Sequence, residues 1–245
     1  MKDKKFSFLV PCYNCEKFIF NNGLKLLKKI TRNQINFEIF FINDGSNDNS
    51  LTQLNKLKKL NNKIKIINFR NNEGKSSVLK KSIKKTSGKI IILYDCDWPY
   101  LNDFDRVVKL LDNGNKFVTI DRRAIESKFD YTQSNFYQIF RYLVSKLVNV
   151  IISYTILKDF NGDTQSGLKG FESIKNFKNQ NFLSNKFFLD AEIISFFEKK
   201  NIKITSVPIK YKISKTSSIK IFSVNNFFYF YELFRIILKD LVKFR

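Results

Sequence analysis

The chain has 245 residues, of which 43% are hydrophobic, so it is long and apolar enough to form one large domain with a substantial core. Its 44 Lys and Arg residues outnumber its 22 Asp and Glu residues, and the net charge of +22 favours an anionic partner such as phosphate groups, nucleic acid or a membrane surface. The absence of histidine excludes Cys/His zinc sites, His-based triads and a histidine general base. Abundant Lys, Asn, Ile and Phe are also typical of AT-rich coding, which is an alternative explanation for part of the charge.

The cysteines and the apolar segments bear on the compartment in which the protein functions. Cys12 and Cys15 have the spacing of a redox pair, but no thioredoxin-like pattern surrounds them. Together with Cys96 they are interpreted as free thiols in a reducing compartment. No stretch approaches ~18 uncharged apolar residues, and the N-terminus lacks the apolar core of a signal peptide, so we expect neither a spanning helix nor export.

Strand and helix patterns alternate along the first part of the chain. We predict strands at residues 6–10, 37–42, 64–69 and 89–94, and helices that end near residues 30 and 60 or cover residues 76–86. This alternation is typical of a Rossmann-like, doubly wound α/β fold with a mostly parallel sheet. The first loop has no Gly-rich dinucleotide fingerprint and the chain has no Walker loop, which disfavours ordinary dinucleotide binding and ATP hydrolysis.

Acidic side chains stand where two of the predicted strands end. Asp44 follows the second strand, and Asp95 and Asp97 follow the fourth, with Cys96 between them. Ligands of open α/β sheets bind at the carboxyl ends of the strands, and a pair of carboxylates there is suited to hold a divalent cation. The alternative is an ordinary surface turn, because Asp before Pro is common in turns.

The second part of the chain contains two strongly apolar helical segments, at residues 136–157 and 225–245. Before the first of them we predict a helix at 101–111 and a strand at 117–120. Between the two we predict a polar loop at 160–167, a helix opening at 187–192, a strand at 202–209 and a basic loop at 211–218. We expect one domain over residues 1–222 and a C-terminal amphipathic helix at 223–245. The two apolar helices either pack within the protein or, as their interspersed basic residues favour, lie on an anionic membrane surface.

Six segments in this order resemble family-2 glycosyltransferases of the GT-A fold, in particular the branch that transfers a sugar to dolichyl or undecaprenyl phosphate. The later segments look most like dolichyl-phosphate β-glucosyltransferases. The matching segments are Val10-Pro11-Cys12-Tyr13-Asn14, Ile42-Asn43-Asp44-Gly45-Ser46, Gly74-Lys75, Asp95-Cys96-Asp97, Asp163-Thr164-Gln165-Ser166-Gly167-Leu168-Lys169 and Phe188-Leu189-Asp190-Ala191-Glu192.

The resemblance implies roles for individual residues of the donor site. Pro11, Tyr13 and Asp44 would border the nucleotide base. Asp95 would contact the ribose and Asp97 the metal, so that the Asp95-Cys96-Asp97 segment borders the donor. In this sequence Cys15 stands where the family usually has Glu, and Glu16 is the acid nearest to that position.

Glycosyl transfer requires stabilisation of the diphosphate leaving group, which Mg²⁺ or Mn²⁺ held by Asp97, with Asp95 beside it, would supply. Lys75 and Lys215 would add positive charge, although each is also readable as a solvated surface lysine. A phosphate acceptor needs a cationic cradle, for which Arg122, Arg123, Arg141 and Ser145 are candidates. A hydroxyl acceptor would instead need a carboxylate base, and the candidates are Asp163 and Asp190.

These expectations combine into an inverting, metal-dependent glycosyltransferase that moves a hexose from a nucleotide sugar to a polyprenyl phosphate. UDP-glucose is the favoured donor and GDP-mannose the alternative. The expected location is cytoplasmic, peripheral at the inner face of the cytoplasmic membrane. Transfer to a saccharide hydroxyl is the second hypothesis. A nucleic-acid-binding module is the third, and no nucleic-acid partner is expected because the acids would repel a phosphate backbone.

Overall fold

A computed structural model describes residues 4–97, 100–129, 136–211 and 225–242. Seven strands form the main sheet and two short strands form a second one. The main-sheet strands are β1 (Lys5–Cys12), β2 (Asn36–Asp44), β3 (Ile64–Phe69), β4 (Ile90–Tyr94), β5 (Phe117–Asp121), β7 (Leu168–Glu172) and β8 (Thr205–Pro208), and the short strands are β6 (Lys128–Phe129) and β9 (Lys210–Tyr211). The order of the main sheet is β3-β2-β1-β4-β7-β5-β8, and every pairing that does not involve β7 is parallel.

Helices cover both faces of this sheet. The helices are α1 (Ile19–Arg32), α2 (Ser50–Leu60), α3 (Lys75–Ile83), α4 (Phe104–Asp112), α5 (Phe136–Thr155), α6 (Leu189–Glu198) and α7 (Asn225–Val242). Successive strand residues point to opposite faces, so Ile90 and Ile92 of β4 pack with α1, α2 and α4, whereas Ile91 and Leu93 pack with α3, α5, α6 and α7. Both faces of the central strands are therefore buried, which explains their unbroken apolar runs. The α/β, mostly parallel fold predicted from the sequence is confirmed.

Strand β7 is the main element that the sequence did not predict. It lies between β4 and β5 and is antiparallel to both. Its five residues include a buried lysine and a glycine, so they carry no clear strand pattern. A Cβ at Gly170 would come 2.4 Å from Cδ1 of Leu111, so this glycine allows α4 to pack closely on the sheet.

The two apolar helices are only partly covered by the protein. Ile152 of α5 and Leu233 and Ile236 of α7 are buried in the core, but the same helices carry exposed large apolar side chains at spacings typical of one helix face. Within the described residues, no helix is both long enough and apolar enough to cross a membrane. The exposed residues are Phe136, Ile139, Phe140, Leu143, Leu147, Val150 and Tyr154 of α5, and Phe228, Phe230, Tyr231, Phe234 and Leu238 of α7.

Candidate active site

The carboxyl end of β4 meets the loop that precedes β7. Because β7 is antiparallel to β4, its first residue, Leu168, pairs with Tyr94, the last residue of β4. The Asp95 amide then donates a hydrogen bond to the Gly167 carbonyl at 2.9 Å. A Cβ at Gly167 would lie 2.5 Å from Oδ2 of Asp95, so a residue without a side chain is needed where loop and acid meet. The unpredicted strand is thus what brings residues 163–167 to the predicted acids.

Lys75 is the counter-ion of Asp95. Its Nζ lies 2.6 Å from Oδ1 of Asp95, and both side chains are about one-third exposed, at 33% and 34%. Burial opposes the charge on Lys75, but Asp95, Asp190 and Asp97 outweigh that effect and raise the pKa of its ammonium group. The negative charge of these three carboxylates thereby holds Lys75 in its charged form.

Asp44 fixes the turn that presents Lys75. Its Oδ1 accepts a hydrogen bond from the Glu73 amide at 2.7 Å, and its Oδ2 accepts one from the Gly74 amide at 3.0 Å. Gly74 has φ = +97°, which favours glycine, and α3 begins at the next residue. Both oxygens of Asp44 are therefore engaged in positioning the start of α3.

The carboxylate of Asp97 is in an environment that suits a ligand of a cation. Its Oδ1 is buried and has no hydrogen-bond partner among the described residues. Burial and the nearby Asp95 raise the pKa of Asp97 to about 6. A buried carboxylate oxygen without a protein partner is costly, and an oxygen-preferring divalent cation such as Mg²⁺ or Mn²⁺ would compensate for it. The residues present therefore fit the predicted metal.

Asp163 is paired with arginine. It is fully buried, and the Arg122 guanidinium binds it in a bidentate manner through Nε and Nη2. Nε of Arg123 lies 3.8 Å from its Oδ1, while Nη2 of Arg123 donates to the Ser145 hydroxyl at 3.0 Å. Burial opposes ionisation, but the two arginines outweigh it and lower the pKa of Asp163. Arg122, Arg123, Asp163 and Ser145 thus form one group, with two positive charges against one negative charge.

Helix α5 is tied to this group. Oδ1 of Asn149 accepts hydrogen bonds from the Thr164 amide at 2.8 Å and from its hydroxyl at 2.7 Å, and Nδ2 of Asn149 donates to the Gly162 carbonyl. Together with the contact between Arg123 and Ser145, these bonds fix the loop at residues 160–167 against α5. An apolar helix with an exposed face therefore adjoins the arginines.

Lys169 lies at the site, although no role was predicted for it from the sequence. It is buried in β7, and its Nζ lies 2.8 Å from Oδ1 of Asp190 near the start of α6. Burial lowers the pKa of Lys169, an effect that Asp190 opposes. A lysine within the short apolar stretch Leu168–Glu172 was the available signal, because a buried lysine needs an anionic partner.

Sequence similarity to known proteins extends over most of the chain. The sequence matches the family described as Glycosyl transferase family 2 over residues 7–185. The chain belongs to this family. It is similar to a dolichyl-phosphate beta-glucosyltransferase from Trichomonas vaginalis, with 29% identity over 231 residues that cover 88% of this chain and 68% of the relative. It is also similar to an uncharacterised glycosyltransferase from Synechocystis, with 36% identity over 93 residues that cover 38% of this chain and only 29% of that protein.

Solved structures confirm the GT-A fold of this family 2 member. A glucosyl-3-phosphoglycerate synthase from Mycobacterium tuberculosis, in complex with Mn²⁺, UDP and phosphoglyceric acid, matches with a TM-score of 0.65 and 13% identity. The match covers 96% of this chain and 79% of that one. The fold and the family that the sequence motifs implied are thus confirmed.

The other predicted donor-site residues have the following positions in the glycosyltransferase domain. Tyr13 is 41% exposed just beyond the end of β1, Pro11 is half-buried within that strand, and Cys96 is half-buried between the two acids. Oε2 of Glu16 accepts a hydrogen bond from the Asn49 amide at 2.8 Å, so one of its oxygens is engaged at the start of α2. Lys215 and the side chain of Arg141 lie outside the described residues.

Proposed function

We propose that this family 2 glycosyltransferase transfers a hexose from a nucleotide sugar to a polyprenyl phosphate, with inversion at the transferred carbon. UDP-glucose is the favoured donor. The similarity to a dolichyl-phosphate beta-glucosyltransferase over 88% of this chain supports this choice. A fold neighbour that binds UDP-glucose together with Mn²⁺ supports a uridine donor and a divalent ion.

In this proposal Asp97, with Asp95 beside it, holds Mg²⁺ or Mn²⁺. When bound, the ion acts as a Lewis acid that stabilises the diphosphate leaving group. Lys75 orients Asp95 through their 2.6 Å contact. Asp44 supports this arrangement by fixing the turn before Lys75.

The state of the two candidate bases is the observation that carries the acceptor assignment. Asp163 is buried and bound by Arg122, and Asp190 is paired with the buried Lys169. The lowered pKa of Asp163 makes it a poor acceptor for the proton of a sugar hydroxyl, and the contact with Lys169 occupies Oδ1 of Asp190. A phosphate acceptor is already anionic and nucleophilic, so it needs positive charge rather than a base, and Arg122 and Arg123 provide that charge beside α5.

The exposed apolar faces of α5 and α7 support a lipid acceptor. A polyprenyl chain stays in a membrane, so the enzyme must work at the membrane surface. Apolar side chains such as Leu143 and Leu147 on α5 would enter the interface, and the net charge of +22 would favour an anionic leaflet.

The test is transfer of radiolabelled sugar to dolichyl phosphate or undecaprenyl phosphate, with UDP-glucose and GDP-mannose as separate donors and Mn²⁺ present. An oligosaccharide acceptor is assayed in parallel. We expect label in the lipid extract with UDP-glucose. Label only in the oligosaccharide would assign the enzyme to saccharide synthesis, and label from GDP-mannose alone would make it a mannosyltransferase.

A further inference from the structure

The three cysteines of the chain meet at one place beside the acid pair. Cys12 ends β1 and Cys15 lies in the turn that follows. Cys96 follows β4, the parallel neighbour of β1, and the strand register that pairs Leu9 with Leu93 brings residue 12 level with residue 96. The three sulfur atoms lie within 4.8 Å of one another, and all three cysteines are free. The sequence predicted free thiols correctly but gave no sign that they converge.

We infer that Cys12, Cys15 and Cys96 form a binding site for one thiophilic metal ion, of the class of Zn²⁺, Cd²⁺ or Cu⁺. Thiolates bound to Zn²⁺ at about 2.3 Å lie roughly 3.8 Å apart in a tetrahedral site, so closure by at most about 1 Å would bring the three sulfurs to the spacing of three of its four ligands. Three sulfur ligands without imidazole or carboxylate select soft cations over Mg²⁺ or Mn²⁺.

The surroundings of the thiols suit this role. The Ser50 hydroxyl accepts a hydrogen bond from the Cys15 amide at 2.7 Å and donates one to the Cys15 sulfur at 3.5 Å. A donor of this kind orients a ligating sulfur and stabilises its negative charge. Cys12 and Cys15 are buried, and the half-buried Cys96 gives an ion access to the cluster.

The location of Cys96 links this site to the acid pair. Its backbone carbonyl accepts a hydrogen bond from Nδ2 of Asn22 at 2.9 Å, and its chain neighbours are Asp95 and Asp97. A soft ion that draws the Cys96 sulfur inwards therefore shifts the segment that carries both carboxylates. This consequence rests on the proposed function, whereas metal binding by the thiols does not.

The test is titration of the reduced full-length chain with Cd²⁺, followed by thiolate-to-cadmium charge-transfer absorption. No nucleotide or lipid is present. Because the chain has three cysteines in total, every thiolate signal arises from this cluster. We expect one Cd²⁺ per chain, a signal that excess Mg²⁺ does not displace, and an affinity at least about tenfold lower for Cys15→Ala and for Cys96→Ala, because losing only a supporting partner of a ligand already costs about 10–100-fold.

Two comparisons make the result decisive. The half-buried Cys96 is the site most tolerant of substitution, so Cys96→Ala remains informative if Cys15→Ala does not fold. Asp97→Asn should keep the cadmium signal, which separates failure of this inference from failure of the proposed function. The three-thiol site would be overturned by a cadmium affinity that is unchanged in Cys96→Ala, by loss of the cadmium signal in Asp97→Asn, or by saturation at one ion per two chains.

Discussion

Lys75 and Asp95 join the first residue of α3 to the end of β4 through a contact of 2.6 Å between Nζ and Oδ1. The pair connects the start of α3 with the far end of β4, the next element of the chain, across 20 residues of sequence. It also places a positive charge at the sheet edge where a nucleotide diphosphate would lie. The arrangement of the acid pair therefore depends on a residue of another element.

Replacing Lys75 should impair the enzyme more than it destabilises the fold. We expect Lys75→Ala to raise KM for the nucleotide sugar by about tenfold or more. The reason is the loss of a charge-assisted contact between Lys75 and the donor diphosphate, worth roughly 1.5 to 3 kcal/mol. Lys81→Ala is the matched control, since Lys81 lies on the same helix and its pair with Glu73 is largely exposed. Equal kinetics for both variants would remove Lys75 from the donor site.

The pair formed by Arg122 and Asp163 should be important for stability. Arg122→Ala leaves the buried Asp163 with the more distant Arg123 and the Gln165 amide, at a cost of about 3 kcal/mol, or a Tm lower by roughly 6 to 12 °C. Adding Asp163→Asn should recover part of this loss. Arg106→Ala is the comparison, because it removes an ion pair with Asp103 in which the arginine side chain is 57% exposed. A loss no larger than in that variant would contradict the structural role of Arg122.

Stability at low pH should depend on Glu38 of β2. Burial opposes its ionisation, but hydrogen bonds from Lys65, Ser7 and Ser87 outweigh burial and lower its pKa from 4.5 to about 2. A lowered pKa in the folded state gives stability that is fully present above pH 4.5 and is lost as the pH falls towards 2. Urea unfolding at pH 3 and pH 6 should show a smaller pH dependence for Glu38→Gln, and an unchanged dependence would refute this.

Charged substitutions on α5 should weaken membrane binding without unfolding the protein. We expect Leu143→Asp and Leu147→Asp to reduce co-sedimentation with anionic vesicles several-fold, because these side chains are 55% and 61% exposed. Leu60→Asp at the end of α2 is a matched control, since Leu60 is 53% exposed on another helix. Loss of binding in the control variant as well would indicate a non-specific effect of charge.

The sequence predicts those parts of the structure that follow from local patterns. Short, mostly apolar runs identified β1 to β5, and the rule that ligands bind at the carboxyl ends of strands placed Asp44, Asp95 and Asp97 at one edge. Motif resemblance added residues 163–167, although local pattern alone would leave them in a distant loop.

Long-range pairing is what the sequence did not predict. Strand β7 is held by its neighbours and by packing of Phe171 against Phe117, so its own five residues carry little signal. The ion pairs of Asp163 with Arg122 and of Asp190 with Lys169 join residues 41 and 21 positions apart, and neither spacing corresponds to a helical repeat. Cys96 likewise lies near Cys12 because β4 and β1 are neighbouring strands of the sheet.

We propose that Asp97 binds the metal on which sugar transfer depends. The most direct measurement is transfer from radiolabelled UDP-glucose to dolichyl phosphate by wild type, Asp97→Asn and the exposed-acid control Asp159→Asn, each with Mn²⁺ or with a chelator, with Tm recorded for all three. We predict a loss of about 100-fold or more for Asp97→Asn at an unchanged or higher Tm, because the substitution removes a charge from a carboxylate whose buried Oδ1 has no hydrogen-bond partner among the described residues. Wild-type transfer by Asp97→Asn, or full activity in the presence of the chelator, would contradict the account.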